Sequence, residues 1–334
     1  MRYNATMSQE EYDLISAGDT TTDVFIRLKD ASVLRRPKKR GDALCMRFAD
    51  KIAVEGVKEI DGVGNAANVA VGSARLGLRA GIWTILGNDD NAERIATNVF
   101  EKERVDQVCV NRDKKHRTNF SVVLNFKAER TILVYHAPRV YKWPQGLPKA
   151  QWLYFTSMGD GWEKVIPGFK KYCGETGAKI AFNPGTCQLR SSAEILRKVL
   201  TSASVLFLNR EEAVKISGMK SGSIKILLTE IQKFGPKTVI ITDGDKGAFA
   251  VSEEEFLHMP ILPAPIVERT GCGDSFATGF LAALIDGRTF SDALVWGAVN
   301  SSSVIQFIGA REGLITKEQM HKQASKVTIK PEKI

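Results

Sequence analysis

Length, composition and charge exclude several classes of protein before any motif is considered. The chain has 334 residues, a formal charge of +9 and a pI of about 9.2, with 43% hydrophobic and 25% charged residues. This balance is typical of a globular protein with a buried core, and it excludes disordered, collagen-like and disulfide-scaffold chains. No apolar run approaches the roughly 20 residues that cross a bilayer, and the first residues are polar. We therefore expect a cytoplasmic protein that has no membrane partner.

The first half of the chain predicts a strand, several helices and a β-rich excursion. Residues 24–60 mix short strand signals with many charges and have no regular period. The small, proline-free segment 64–76 predicts a helix that packs closely against a neighbour. The other predicted elements are, in chain order, a strand at 12–17, a strand at 80–86, a helix at 91–103 and a hairpin of two strands at 118–124 and 131–135.

The second half alternates regularly between short apolar strands and helices. Such alternation indicates βαβ units and a mostly parallel sheet with helices on both faces, which is an α/β fold. We found no linker or repeat, so we predict a single domain over residues 1–330. The predicted strands are 152–155, 179–182, 205–208, 238–241, 248–251 and 256–262, and the predicted helices are 162–176, 193–200, 211–216, 224–234, 274–285, 291–307 and 317–325.

Cysteines, histidines and basic runs carry no recognisable metal or nucleic-acid motif. The five cysteines and four histidines are scattered without C-x-x-C or H-E-x-x-H spacing, so we expect no metal bound by the protein alone. Two runs, at 35–40 and 112–117, are rich in lysine and arginine. Because no aromatic residues are interleaved with them, we interpret them as solvated loops and predict no nucleic-acid partner. A role in attracting an anionic substrate stays open.

The most informative segment is a turn of small residues that runs into a helix, Gly271-Cys272-Gly273 followed by Asp274. Backbone N–H groups at such a helix N-terminus form a concave donor site, and the helix dipole adds positive charge there, so an anion would fit. An isolated Asp at a helix start is more often a cap. The case for function therefore depends on the other segments.

Two further segments follow predicted buried strands directly, where ligands bind in open α/β sheets. Asn209 and Glu212 could hold the waters of a phosphate-bound Mg²⁺, although N-x-x-E is more often a capping pair. Thr242, Gly244 and Gly247 follow the next strand, and these glycines would let the backbone approach a nucleotide. A plain hairpin turn is the alternative interpretation of this second segment.

These segments, in this order, resemble the ribokinase-like (PfkB) family of carbohydrate kinases. The family's nucleotide-side signature D-T-x-G-A-G-D-x-F is matched by Glu268 to Phe276, and its upstream glycine-rich signature by Gly64 to Ala70. The N-x-x-E and T-x-G-x-x-G elements match as well, so the similarity spans nearly the whole chain. The resemblance implies a ribokinase-like fold with a small β-sheet lid, and transfer of the γ-phosphoryl of ATP to a hydroxyl of a small sugar or sugar-like acceptor.

The resemblance also implies roles for the matching positions. Asp274 would be the general base that takes the proton of the acceptor hydroxyl, and the amides of Gly271, Cys272 and Gly273 would form the anion hole. Mg²⁺ and the phosphates would be organised by Asn209 and Glu212. Positions that hydrogen-bond the sugar are Asp23, Gly64, Asn65 and Asn68. Positions on the nucleotide side are Thr242, Gly244, Gly247 and, on the late helix, Asn300.

The lid and the acceptor follow from the same resemblance. The insertions at about 24–60 and 112–140 resemble the lid that closes over the sugar and often pairs two subunits as a homodimer. The acceptor stays open between sugars, sugar acids, nucleosides and sugar phosphates. The polar residues near the lid that are candidates to face it are Arg117, Arg130, His136 and Arg139.

Three positions depart from the family pattern. Glu268-Arg269 stand where the family usually has Asp-Thr, and that Asp often helps to bind a monovalent cation, so dependence on K⁺ stays open. Val63 replaces the first glycine of a usual Gly-Gly pair. Cys272 replaces an alanine, and at an exposed turn its thiol is expected to be sensitive to oxidation.

Two alternatives were weighed against this hypothesis. Residues 62–67 satisfy the dinucleotide-binding pattern G-x-G-x-x-[G/A], but the preceding segment 55–61 is too polar for the central strand that this motif needs. A kinase-fold protein that binds ligands without turnover is the non-enzymatic alternative, because fold and motif alone do not establish function. The intact Asp274 turn argues against it, whereas the changes at Glu268-Arg269 keep it open.

Overall fold

The computed structural model describes residues 11–35, 42–127, 129–219 and 222–334. Most of the first basic run, 36–40, lies outside the described residues. Within the described ranges, strands account for two main sheets and helices cover the larger one. The strands are β1 Tyr12–Ala17, β2 Thr21–Leu28, β3 Ser32–Leu34, β4 Ala43–Cys45, β5 Val54–Val63, β6 Ala80–Gly87, β7 Asp106–Asp113, β8 Asn119–Phe126, β9 Glu129–Tyr135, β10 Ala150–Phe155, β11 Lys179–Phe182, β12 Val205–Asn209, β13 Thr238–Thr242, β14 Ala248–Ser252, β15 Glu255–Met259 and β16 Glu332–Lys333.

The helices lie mainly between the strands of the larger sheet. They are α1 Asn65–Arg75, α2 Asp90–Arg94, α3 Ile166–Thr176, α4 Ala193–Leu200, α5 Arg210–Ser217, α6 Ile224–Gln232, α7 Cys272–Ile285, α8 Phe290–Val304 and α9 Lys317–Ala324. The predicted helix at 91–103 is α2 followed by a π-helical stretch, Ile95–Glu101. None of the helices in the described ranges is long and apolar enough to span a membrane.

The central sheet is parallel over most of its width, as predicted. Its ten strands run in the order β16-β15-β14-β13-β12-β11-β10-β1-β6-β7, and the strands from β13 to β7 are parallel to their neighbours. β14 to β16 add an antiparallel edge. Successive residues of a strand point to opposite faces, and accordingly Leu14 packs in the core below α7 and α8, whereas Ile15 packs in the core that contains α3 and α4. The predicted α/β architecture is confirmed.

A second, four-stranded sheet corresponds to the small β-sheet that the resemblance implies, and we call it the lid sheet. Its order is β5-β2-β8-β9, with β2 parallel to β8 and antiparallel pairing on both sides. Phe25, Ile60, Val63 and Val123 bury one face of this sheet together with Ile308 from the loop after α8. The lid sheet therefore packs on that loop.

The lid boundaries differ from the predicted insertions. The segment from about 112 onward was assigned to the lid, yet β7 ends at Asp113 and pairs with β6 at the edge of the central sheet. β7 was missed because its side chains are polar and partly exposed, as is usual on an edge strand. The lid hairpin begins only at Asn119, and the first lid strand begins at Thr21, three residues before the predicted insertion.

Candidate active site

The carboxyl ends of the parallel strands and the N-termini of α1 and α7 meet at one edge of the central sheet. Asn209 ends β12 and lies beside Thr242, which ends β13. Gly64, just before α1, approaches the chain that follows β1, because an added Cβ at Gly64 would lie 3.0 Å from the carbonyl oxygen of Asp19. Ligands bind at this edge in open α/β sheets.

Close packing of α1 on α7 brings two predicted site residues into contact. Gly72 of α1 faces Thr278 of α7 so closely that an added Cβ would lie 2.8 Å from the Thr278 methyl group. One helical turn toward the N-termini, Asn68 and Asp274 face each other, and Asn68 Nδ2 donates to Asp274 Oδ2 at 2.7 Å. The predicted sugar-binding amide and the predicted base are thus hydrogen-bonded neighbours.

Asp274 is buried, and burial controls its protonation. The side chain is 8% exposed in the first turn of α7. Burial raises the pKa of Asp274 to about 6, although the hydrogen bond from Asn68 lowers it. A carboxylate with this pKa is ionised at neutral pH and is a better proton acceptor than an ordinary aspartate, as a general base requires.

The turn before α7 has the geometry of an anion site. Gly271 caps the helix at φ 80°, and an added Cβ there would overlap with Ala310. Gly273 is exposed and has no atom near the position of an added Cβ. Helix geometry leaves the N–H groups of this first turn without intrahelical acceptors. Gly273 therefore faces open space next to Asp274, whereas the N–H of Cys272 already donates to the carbonyl of Arg269 at 3.5 Å.

Glu268, three residues before this turn, is its main support. Glu268 Oε1 accepts from the backbone N–H of Thr270 at 2.9 Å and from the Thr270 hydroxyl, and Oε2 accepts from the N–H of Gly309 at 3.2 Å. Arg130 Nη1 of the lid lies 3.3 Å from Oε1. The departure from the family pattern at this position thus produces a carboxylate with both oxygens engaged.

The residues predicted to bind the sugar lie between the lid and α1. Asp23 is on β2, and burial followed by the negative charge of Glu268 raises its pKa to about 6, against a hydrogen bond from Ser121. Gly64 adopts φ 98°, a conformation that favours glycine, and Asn65 begins α1 with a partly exposed side chain. Asp23 is thus close to Glu268, and Gly64, Asn65 and Asn68 lie at the N-terminus of α1.

On the nucleotide side, Asn209 and Glu212 form a capping box at the start of α5. Asn209 Oδ1 accepts from the N–H of Glu212 at 2.9 Å, and Glu212 Oε2 accepts from the N–H of Asn209 at 2.9 Å. Burial, followed by the charge of Asp274, raises the pKa of Glu212. The capping alternative is therefore realised, and Glu212 also lies close enough to Asp274 for the two carboxylates to repel each other.

The glycines after β13 differ in what they face. Gly244 is exposed at φ 55°, and an added Cβ would find open space. At Gly247, φ is 84° and an added Cβ would overlap with the carbonyl oxygen of Met259. The hairpin alternative therefore explains Gly247, whereas Gly244 faces open space. Thr242 donates its hydroxyl to the carbonyl of Leu208 at 3.4 Å, which links the two strand ends.

Two expectations are wrong. Asn300 does not face a nucleotide, because its side chain is 1% exposed and its amide donates to the carbonyl of Ser275 at 2.8 Å and accepts from the N–H of Ile315 at 3.5 Å. Cys272 is partly buried, and burial raises the pKa of its thiol to about 11. Oxidation proceeds through the thiolate, so this cysteine is not the reactive group that an exposed turn suggested.

The four polar residues predicted near the lid differ in their contacts. Arg139 is fully buried and binds Asp113 at 2.8 Å and the carbonyl of Arg117 at 2.7 Å, so it does not face an acceptor. Arg130 binds Glu268. Arg117 is largely exposed, with its guanidinium over the Phe120 ring, and His136 lies 4.0 Å from the buried carboxylate of Asp19.

Sequence reasoning missed the links that hold this site together. Asp19 was not singled out, yet it accepts from Tyr141 at 2.7 Å and from the N–H of Gly159 at 3.0 Å. The Arg130–Glu268 pair joins residues 138 positions apart, and although each residue was singled out, nothing in the sequence pairs them. Within the described ranges no cluster of three histidine, cysteine or acidic side chains could hold a metal.

Known proteins with similar sequences are sugar and riboside kinases. The chain is 29% identical to a fructokinase from Salmonella typhimurium over 66% of this chain and 76% of that protein. It is 28% identical to an aminoimidazole riboside kinase from the same species over 72% of this chain and 79% of that one.

Solved structures show the same fold. A ribokinase from Arabidopsis thaliana, complexed with ribose and ATP, superposes with a TM-score of 0.77 at 20% identity, covering 95% of this chain and all of that one. The fold is therefore ribokinase-like. The model of the pfkB family of carbohydrate kinases matches residues 48–317, which is most of the chain. The protein is accordingly a kinase that belongs to the pfkB carbohydrate kinase family.

Proposed function

We propose that the protein transfers the γ-phosphoryl group of ATP to a hydroxyl of a small sugar or sugar-like molecule, with Asp274 as general base. The observation that carries this proposal is the buried Asp274, held by Asn68 at 2.7 Å beside the open turn at Gly273. A base and an anion site side by side are what phosphoryl transfer to an alcohol needs.

Each group has a defined task in this mechanism. Asp274 accepts the proton of the acceptor hydroxyl as its oxygen attacks the γ-phosphorus, and the bond from the γ-phosphorus to the bridging oxygen of ADP breaks. The N–H groups of the Gly271–Gly273 turn stabilise the charge on the transferring group. Asn68 orients Asp274. Asp23 accepts a hydrogen bond from a hydroxyl of the sugar that receives the phosphoryl group.

The side chains at the nucleotide end fit a magnesium ion that arrives with ATP. Burial and, to a smaller extent, the charge of Asp274 raise the pKa of Glu212, so a cation near these two carboxylates would be favourable. Glu212 would hold Mg²⁺ through water, since no three-ligand protein site exists among the described residues. When bound, the ion would offset the negative charge of the phosphates.

An ATP-consumption screen across sugars, sugar acids, nucleosides and sugar phosphates tests the proposal. The relatives are named for fructose and for a riboside, so we expect turnover with a neutral sugar or a nucleoside. Sugar phosphates are less favoured, because Arg139 and Arg130 already bind carboxylates of the protein. If no acceptor supports ATP consumption, the protein is instead a kinase-fold protein that binds ligands without turnover.

The lid also supports the homodimer that the family resemblance implies. β9 lies at the edge of the lid sheet, and Ile132, Leu133 and Val134 on it are all exposed. An exposed apolar edge strand is a template for pairing with another chain. We propose that a second lid occupies this edge in solution.

The pH dependence of activity follows from the two raised carboxyl groups. Asp274 and Asp23 both have a pKa of about 6, and each acts in its ionised form. Activity should therefore be constant above pH 7 and fall as pH drops through 6, with kcat/KM losing about a hundredfold per pH unit where both groups are protonated. The Asp23→Asn variant should lose only about tenfold per unit over the same range. Equal slopes in the two proteins would contradict the assignment.

Independence of K⁺ follows from the engaged carboxylate at 268. Glu268 already binds Thr270, Gly309 and the Arg130 guanidinium, so it lacks an open oxygen pair for a monovalent cation. We expect kcat within about twofold when potassium chloride is replaced by tetramethylammonium chloride at equal ionic strength, since a cation without a site has no differential effect. Activation of about tenfold or more by K⁺ would show that such a site forms.

A further inference from the structure

The carboxylate of Glu268 joins three separate segments of the chain. It accepts hydrogen bonds from Thr270, which opens the turn of the anion hole, and from Gly309 in the loop after α8. Its third partner is Arg130, which lies on lid strand β9 and approaches to 3.3 Å. The Glu268 side chain is only 9% exposed, so its bonds from Thr270 and Gly309 are partly shielded from water, whereas the Arg130 side chain is 36% exposed.

The partners of Glu268 also support Gly271 indirectly. Gly309 is followed by Ala310, and Gly271 packs against Ala310 so closely that no side chain would fit between them. The position of Gly309 therefore determines where Ala310 lies behind the anion-hole turn. A movement of Glu268 would shift both Thr270 and Ala310.

The lid also packs on the loop after α8 that contains Gly309. Ile60 of β5 packs directly against Gly309, and Lys58 donates to the carbonyl of Ile308 at 3.4 Å and to Glu312 at 3.1 Å. These contacts hold the base of the lid. The Arg130–Glu268 pair differs from them, because it reaches the side chain that holds Thr270.

We propose that Arg130 is a positioning residue that couples closure of the lid to assembly of the anion hole, an inference that rests on the proposed kinase function. With the lid down, the Arg130 guanidinium holds Glu268, and Glu268 fixes Thr270 and Gly309. When the lid lifts, Glu268 loses its counter-charge and the turn loses a fixed neighbour. The anion hole is then complete only over a covered acceptor, which limits transfer of the phosphoryl group to water.

The test compares Arg130→Gln with a matched lid variant. Arg27 on β2 and Arg130 on β9 both lie opposite Asn125 of β8, in the same row of the lid sheet. Arg27→Gln removes the same charge from this row without touching Glu268. We expect Arg130→Gln to lower kcat about tenfold or more with both KM values within about twofold, and Arg27→Gln to match the wild type.

Further variants separate positioning from a structural role. Arg130→Lys keeps the charge and should recover part of the lost kcat. In a double-mutant cycle with Glu268→Gln, the double variant should be no slower than Glu268→Gln alone. The fraction of ATP hydrolysed without phosphorylation of the acceptor should rise in Arg130→Gln. Losses that add in the cycle, or equal rates for Arg130→Gln and Arg27→Gln, would overturn the proposal.

Hydrogen exchange tests the coupling without relying on turnover. In Arg130→Gln, the amides of Thr270 and Gly309 should exchange about tenfold faster than in the wild type, and in Arg27→Gln they should not change. Unchanged exchange in Arg130→Gln refutes the coupling even if the protein is an active kinase. Absence of turnover with every acceptor would refute the kinase function, whereas the exchange result would still decide the coupling.

Discussion

Asp274→Asn is expected to lower kcat by about 10²- to 10⁴-fold, the contribution of a general base, while nucleotide affinity stays nearly unchanged. Asparagine has the same shape and still bonds Asn68, but it cannot take a proton. The measurements are phosphorylation of the best acceptor and the dissociation constant of ATP. Turnover at the wild-type rate would show that another group is the base.

The same variant should be more stable than the wild type at neutral pH. Folding raises the pKa of Asp274 from 3.8 to about 6, so the stability associated with this group is complete below pH 4 and is lost as pH rises through 6. A neutral asparagine avoids this loss, which corresponds to roughly 3 kcal/mol. Thermal unfolding at pH 3.5 and pH 7.5 measures it. Asp160→Asn, an exposed change of the same kind, is the control and should alter neither stability nor turnover.

Gly271→Ala is expected to reduce both stability and turnover, whereas Gly273→Ala should reduce turnover alone. An alanine at 271 would have φ 80° and would overlap with Ala310. Left-handed strain and overpacking together cost about 2–5 kcal/mol, and the displaced turn should lower kcat by about 10²-fold, as loss of an oxyanion donor does.

The comparison with Gly273 separates packing from chemistry. An added methyl group at 273 meets no protein atom, so thermal unfolding should be unchanged. The methyl group would occupy the space where the transferring phosphoryl group is proposed to lie, and kcat should therefore fall. Normal turnover in Gly273→Ala would place the anion elsewhere, and normal stability in Gly271→Ala would contradict the packing against Ala310.

Local sequence patterns predicted most of the central sheet. The strand at 179–182 and the helix at 193–200 have the predicted bounds, because an apolar strand and a strongly one-sided helix are recognisable without tertiary context. The strand at 106–113 was missed because an edge strand exposes polar side chains and loses the apolar signal. The lid pairs β2 with β8 in parallel, and nothing local specifies a pairing across almost 100 residues.

The candidate site shows the same division between local and tertiary information. The motif located the turn before α7, but the bond of Asn68 to Asp274 depends on how two helices pack. Asn300 was misassigned because α8 is buried over most of its circumference, so its sequence does not reveal which side faces the cleft. The pairing of Arg130 with Glu268 depends on the register of the lid strands, which appears only in the folded chain.

The connections between the lid and the central domain determine where the lid would pivot. β2 starts four residues after β1 ends, and β5 is separated from α1 by Gly64 alone. These two connections touch, since Gly64 lies against the carbonyl of Asp19. The lid is thus attached beside the residues proposed to bind the sugar. An acceptor too bulky for the space beside these connections would hold the lid open. The size of the acceptor would then affect the angle of the whole lid as well as the local contacts.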